Sequence, residues 1–447
     1  MSLLQHPRHL LVTVCLCAYI FTCNGDNVED GLDNMAFSVP GQHDQLKVGV
    51  AQQVGEHRRY FLFDVNMGEG FNLRRDVYMR AAQLVKELRK TDESWVMVLP
   101  PFRHLYHWQS PGVYQDHVAW SKFFNVDTMN TYIPVIEFSR YLSETRGSSV
   151  DQVWYLQGYE GGWKEGTWEE KVDTAKCLDD RGKHEYYRTK DGVWNGPFFG
   201  YYDAIHAKEF ECVSVQGTSF ILKDRLLKSK HQSILIDRFE AVLHPMFGDQ
   251  DYWLSRKSMA YADHLKKEAE DFMEKNLPKH EEGNTKKGLP YLAVHLRRGD
   301  FARSYKGQKG VPGSMKSAAK QIEEALKRLD LNVVYIATDA SSKELKELKR
   351  LLPTMEHYKP SKRRLNDLLD GGVSIVEQWI CANARHFIGT NPSTFTFRIN
   401  EDRELLGMPV ESSFDGLCSD GYKDHKDEDK CDHPTKWTMP KNIRESL

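Results

Sequence analysis

The sequence predicts an α/β fold built from two doubly wound parallel sheets. Three observations predict it. Short apolar runs of strand length alternate with stretches of helical periodicity, first near residues 59–99 and again from about 289 to 400. Several of these apolar runs end abruptly in charge or in glycine, as core strands do where they open onto a site. The chain has 447 residues, 40% of them apolar, which is too long for one ordinary core and ample for two.

In the first half, Arg59 to Val65 is a strand and Asn66-Met-Gly-Glu-Gly70 a tight turn. Leu73 to Lys90 is a helix, with Val77, Ala81, Leu84 and Leu88 on one face. Ser94 to Leu99 is the next strand, closed by Pro100-Pro101, so the domain opens as a βαβ unit. Ile133 to Phe138 and Val153 to Gln157 are further strands. The stretch from 158 to 215 is rich in Gly, Trp, Tyr and charge, and is expected to be long loops rather than regular elements.

A second half begins near Asp251, with a helix through Asn276 and a charged connector, Pro278 to Lys287. Tyr291-Leu-Ala-Val-His-Leu-Arg-Arg-Gly-Asp-Phe301 follows, a buried strand running straight into charge. Helices are expected around Ala318 to Leu329 and Ser341 to Leu352, with a strand at Val333 to Ala337 between them. Gly371-Gly372 is expected to open a helix through Ala384. His386 to Gly389 is a strand, Thr390 to Ser393 a turn, and Thr394 onward a helix.

Formal net charge is −3 and the sequence pI about 6.7, and nothing there suggests a nucleic-acid binder. His6, Arg8 and His9 precede a 14-residue apolar run, Leu10 to Cys23, and then Asn24-Gly25. That layout is a signal peptide over 1–25; a membrane anchor is the alternative, though it needs about 20 apolar residues. Residues 26–46 are polar, and no later stretch is apolar enough to span a bilayer. Five of eight cysteines lie beyond the leader. An oxidising lumen favours disulfides, and proximity in sequence suggests Cys177–Cys212 and Cys418–Cys431. Cys381 falls in an apolar helical pattern as a buried thiol.

Three clusters stand at strand-to-helix turns: Gly68-Glu-Gly-Phe-Asn72, His295-Leu-Arg297 and Ser393-Thr-Phe395. Helix N-termini offer free N–H groups to anions, and an Arg fork suits phosphate. A plain N-cap, a solvated turn carboxylate and a satisfied core histidine are the structural alternatives.

Longer stretches carry a resemblance. They include Glu69-Gly-Phe-Asn-Leu-Arg-Arg-Asp-Val-Tyr78, Leu105-Tyr-His-Trp-Gln-Ser110, Glu165-Gly-Thr-Trp-Glu-Glu-Lys171, His184-Glu-Tyr-Tyr-Arg188, Ser214-Val-Gln-Gly217 and Gln378-Trp-Ile-Cys-Ala382. From about residue 47 to 438 the chain resembles the type-2 branch of the GDP-fucose protein O-fucosyltransferases, which modify thrombospondin type 1 repeats. The resemblance implies a GT-B fold of two Rossmann-like domains across a cleft, 47–245 on the acceptor side and 246–447 on the donor side. It implies an inverting enzyme that needs no metal or other cofactor. The signal-like start and the paired cysteines, for their part, predict a protein of the endoplasmic reticulum lumen, with the Golgi as the alternative. Glu69 would be the general base and Arg297 would stabilise the leaving diphosphate. GDP-fucose would contact Gly68, Glu69, Gly70, Phe71, Asn72, His295, Leu296, Arg297, Glu377, Ser393, Thr394 and Phe395. Relatives lead one to expect Asp in place of Glu377 and Lys in place of Gly299. A fucosyltransferase acting on EGF-like repeats, or a lumenal repeat-binding protein without activity, are the rival readings. The terminus Arg444-Glu-Ser-Leu447 resembles the KDEL signal but departs at Ser446.

Overall fold

The computed structural model describes residues 58–444, apart from 104, 146, 148, 160–167, 179–183, 202–203, 281–286 and 305–306. The expected leader, the polar segment to residue 46, most of the Gly161 to Trp168 stretch and the last three residues lie outside the described residues.

Nine strands form the first sheet: β1 (Arg59–Phe63), β2 (Trp95–Leu99), β3 (Val135–Glu137), β4 (Ser149–Gln157), β5 (Lys171–Ala175), β6 (Tyr187–Arg188), β7 (Trp194–Asn195), β8 (His206–Gln216) and β9 (Ser233–Asp237). Their order is β3-β2-β1-β9-β4-β8-β7-β6, with β5 also paired to β8. The run from β3 to β8 is parallel, and β5, β6 and β7 add antiparallel pairs at its edge. The second sheet is parallel throughout. It comprises β10 (Leu289–Leu296), β11 (Val334–Thr338), β12 (Met355–Glu356), β13 (Ala384–Gly389) and β14 (Asp415–Gly416), in the order β12-β11-β10-β13-β14.

Side chains alternate across both sheets, as strand geometry requires. Tyr60, Leu62, Val96 and Leu235 pack on one face of the first sheet, and Phe61, Phe63, Met97 and Ile236 on the other. In β10, Leu292, Val294 and Leu296 face outward helices, while Tyr291 and Ala293 face inward. The inward faces of both sheets share one continuous core, to which the helices Phe71–Arg89, Asp263–Asn276, Lys362–Ala382 and Thr394–Leu405 contribute.

Three expectations are corrected. The stretch 158–215 is not all loop: β5 lies in it, and β8, eleven residues long, fills most of its end beside β4. The strand β9 stands between β1 and β4 although no strand was expected there. Gly371-Gly372 does not open its helix, which begins at Lys362 and kinks at Leu369 (φ 62°). The pair instead permits close packing. A Cβ at Gly371 would lie 2.7 Å from ring atoms of both Phe123 and Trp108, on the other half of the molecule. The disulfides Cys177–Cys212 and Cys418–Cys431 both form, and Cys381 is a buried free thiol.

Candidate active site

The carboxyl end of β1 carries the first cluster. Asp64 to Gly70 makes the turn, and Gly70 in extended backbone (φ −76°) precedes the helix Phe71–Arg89. Arg74, one turn into that helix, holds the turn in place. It donates to the carbonyls of Val65 (3.1 Å), Asn66 (3.0 Å) and Glu69 (3.2 Å), and to the Asp64 carboxylate (3.3 Å). Glu69 is therefore fixed through its backbone, while its half-buried carboxylate makes no hydrogen bond among the described residues. Burial, and secondly Glu240, raise its pKa; Arg74, Arg238 and Arg80 oppose the rise. Gly68 is exposed beside it. Asn72 is oriented across the two halves, its Oδ1 accepting from Gln378 (2.9 Å) and Arg75 (3.2 Å). The Phe71 ring packs against Phe102, Trp108, Phe123 and Phe124, so only its backbone is available to a ligand.

An acidic pair, which the strand expectations passed over, lies beneath this turn. β1 and β9 are neighbours in register, so Asp64 and Asp237 leave the sheet side by side. Burial, then Asp64 and Glu240, push Asp237 up to about 7. The next residue, Arg238, sits in left-handed backbone (φ 60°) and donates to the Tyr155 hydroxyl (3.0 Å) and to Glu240 (3.3 Å). Ser233-Ile-Leu-Ile-Asp237 has the same signal as the 291–301 stretch, an apolar run ending in charge.

The second cluster is at the carboxyl end of β10. His295 is buried and stacked on Phe395, with ring centroids 4.4 Å apart. The Thr396 hydroxyl donates to the Thr390 carbonyl (2.9 Å), so its oxygen accepts from His295 Nδ1 (2.8 Å). That assigns the tautomer and leaves a lone pair on Nε2. Burial and then Arg297 depress the His295 pKa to about 3, so the ring is neutral. The Leu296 side chain belongs to the core. Arg297 donates its backbone N–H to Thr390 Oγ1 (3.1 Å) and its guanidinium to Asp339 (2.5 Å) and Asp300 (2.6 Å). Gly299 (φ +23°) lies so close that a Cβ there would be 2.5 Å from Asp339 Oδ2, and the Arg298 N–H donates to the same carboxylate (2.6 Å).

Ser393 begins the helix Thr394–Leu405, yet its side chain makes no capping bond, which leaves the hydroxyl and the first N–H groups for an anion. Gly389 brings that helix tight against β13, since a Cβ would lie 2.3 Å from Thr396. Glu377, on the helix Lys362–Ala382, makes no hydrogen bond among the described residues; burial and then Asp339 push it up to about 8.

The loop between β2 and β3 joins the two clusters. The Asp370 carboxylate accepts from the Ser110 N–H (3.1 Å) and the Gln115 amide (3.0 Å), while the Asp370 N–H donates back to Gln115 Oε1 (2.7 Å). Below the site lie buried ionic groups, of which the Asp76–Arg398 pair fastens the two halves. Asp76 pairs with Arg80 (2.5 Å) and Arg398 (3.2 Å), and Arg256 with Glu401 (2.8 Å) and Asp402. Tyr261 donates to Asp402 (2.7 Å), and Arg75 to Gln378 (2.6 Å) and Tyr261 (2.7 Å). Among the described residues the one cluster with metal-ligand spacing is Cys177, His184 and Cys212, and its two sulfurs are spent in the disulfide.

A family model described as GDP-fucose protein O-fucosyltransferase matches residues 60–406. The chain belongs to that family. It is thereby a glycosyltransferase, with the GT-B arrangement of two parallel α/β halves. It is 43% identical over 416 residues to GDP-fucose protein O-fucosyltransferase 2 of Homo sapiens, covering 88% of this chain and 93% of that one. The Caenorhabditis elegans protein of the same name is 38% identical over 456 residues, covering 97% and 99%. Among solved structures, POFUT1 without ligand aligns with a TM-score of 0.54 at 16% identity, over 80% of this chain and 98% of that one. POFUT1 in complex with GDP-fucose gives 0.53 at 16%, over 79% and 96%. At that identity the likeness speaks for the fold.

Proposed function

We propose that this enzyme transfers fucose from GDP-fucose, with inversion, to a Ser or Thr hydroxyl of folded thrombospondin type 1 repeats. The observation that carries the reading is that Glu69, whose carboxylate makes no hydrogen bond among the described residues, stands at the end of β1, and the arginine fork of Arg297 at the end of β10. Inversion requires attack on the sugar from the face opposite the leaving diphosphate. The acceptor oxygen bonds to the fucose C1, Glu69 takes its proton, and the C1–O bond to the β-phosphate breaks with its electrons going to GDP. A base of raised pKa holds that proton better than an ordinary carboxylate does.

Arg297 has five N–H donors, of which Asp339 and Asp300 occupy two, so others remain for phosphate oxygens. The fork, the uncapped helix at Ser393 and the backbone of Gly68 to Asn72 would bind the diphosphate, with His295, Thr394 and Phe395 beside it and Glu377 toward the nucleoside. In this reading Arg297 neutralises the charge growing on the leaving group, so no metal or other cofactor is needed.

The two disulfides fit an oxidising compartment, and we place the enzyme in the endoplasmic reticulum lumen. Among the described residues no helix is long and apolar enough to cross a membrane. Transfer from GDP-fucose to a folded thrombospondin repeat, measured beside a folded EGF-like repeat, tests the assignment. Fucose on the first alone is expected. Fucose on the EGF-like repeat alone would move the enzyme to the other branch, and binding of either repeat without turnover would make it a binding protein.

A further inference from the structure

We propose that His107 hydrogen-bonds the β-phosphate of GDP-fucose. This rests on the reading that the donor diphosphate lies by Arg297. His107 reaches both halves of the site. A Cβ on Gly70 would stand 3.0 Å from its Cδ2 and 3.5 Å from its Nε2, so the edge of the ring lies over the residue next to Glu69. The charges acting on the ring come from the other half: Arg297, Asp300 and Asp339. Asp300 and Asp339 hold the Arg297 fork assigned to the diphosphate, and the ring lies within the field of all three, toward the leaving-group side.

The ring is exposed, and neither nitrogen is hydrogen-bonded among the described residues. It is nonetheless well placed. The next residue, Trp108, packs on Phe71 and Phe102, and Ser110 and Gln115 are tied to Asp370 on the opposite half. An exposed imidazole on an anchored loop, with neither nitrogen bonded among the described residues and lying within the field of the Arg297 guanidinium, suits an anionic oxygen. Surrounding protein, and then Arg297, hold its pKa below the ordinary imidazole value in the absence of that anion. A neutral ring still donates one N–H. As negative charge collects on the β-phosphate during bond cleavage, that hydrogen bond strengthens, so the ring serves turnover as well as binding.

The test compares GDP with GMP, which lacks the β-phosphate. Affinities for both are measured by calorimetry on the intact enzyme and on His107→Ala, His107→Phe and His107→Gln. For the Ala and Phe variants GDP affinity is expected to fall about 10-fold, the loss of one hydrogen bond to a charged group, with kcat falling by at least as much. GMP affinity should change less than about 2-fold, and Gln, which keeps a donor, should recover part of the loss. Because the residue is exposed and its ring makes no hydrogen bond among the described residues, melting temperatures should match the parent. Unchanged GDP affinity and turnover would overturn the proposal. So would equal losses for GDP and GMP, which would give His107 a role in site shape or nucleoside binding. Absence of GDP binding by the unsubstituted enzyme would instead overturn the donor reading, and the proposal with it.

Discussion

Asp76→Asn should destabilise the protein far more than Arg75→Met, although both residues are buried in the same network. Asp76 accepts from Arg80 at 2.5 and 2.9 Å and from Arg398 at 3.2 Å. Burial by itself would raise its pKa, but Arg80, His244 and Arg398 outweigh burial and hold it well below the usual carboxylate value. An amide cannot answer two buried guanidinium groups, and breaking such a pair costs about 3–5 kcal/mol. Arg75, though fully buried, donates among the described residues only to neutral acceptors: Asn72, Gln378 and Tyr261. Methionine fills much of the same space, so its cost is that of unmade hydrogen bonds, about 1–3 kcal/mol. Urea unfolding at constant slope reads both values. The Asp76 contribution should be fully present above the unfolded carboxylate value of 3.8 and fade as pH falls toward its lower folded pKa. An Asp76→Asn cost within about 0.5 kcal/mol of zero, the range of ordinary surface changes, would refute the reasoning. So would a larger cost for Arg75→Met.

Glu240→Gln removes the charge that ranks second to burial in raising the Glu69 pKa, so the acid limb of kcat/KM should move to lower pH; a pH–rate profile with an unmoved limb would contradict the Glu69 assignment. Activity should survive exhaustive chelation, and loss in EDTA that Mn²⁺ restores would show that Arg297 does not act alone on the diphosphate. Gly371→Ala should cost about 1–3 kcal/mol by overpacking against Phe123 and Trp108, despite alanine's better helix propensity, as read by the urea midpoint.

The alternation of strands and helices was legible because parallel strands are buried on both faces and read as apolar runs. β1, β2 and β10 are such strands. β8 was hidden because its first half lies near the sheet edge and carries Lys208, Glu209 and Glu211; apart from Ala207, the buried run is Cys212 to Val215. The glycine pair misled because close approach between helices leaves the same letters as a helix start. Glu69, Arg297 and Ser393 were legible through the turns that carry them. Asp64 and Asp237 were not recognisable as a pair, since only the sheet order makes β1 and β9 neighbours. His107 lay within a recognised motif, but its place depends on Asp370, more than 250 residues away in sequence, holding its loop.

The central claim is that Glu69 removes the acceptor proton. Glu69→Gln keeps the shape of the side chain, and its carboxylate has no hydrogen bond to lose among the described residues. Its kcat for transfer to a folded thrombospondin repeat should fall at least about 10²-fold, the low end for loss of a general base. GDP affinity and melting temperature, measured on the same sample, should stay at the parent values. Transfer at close to the parent rate would make Glu69 a turn residue and contradict the mechanism.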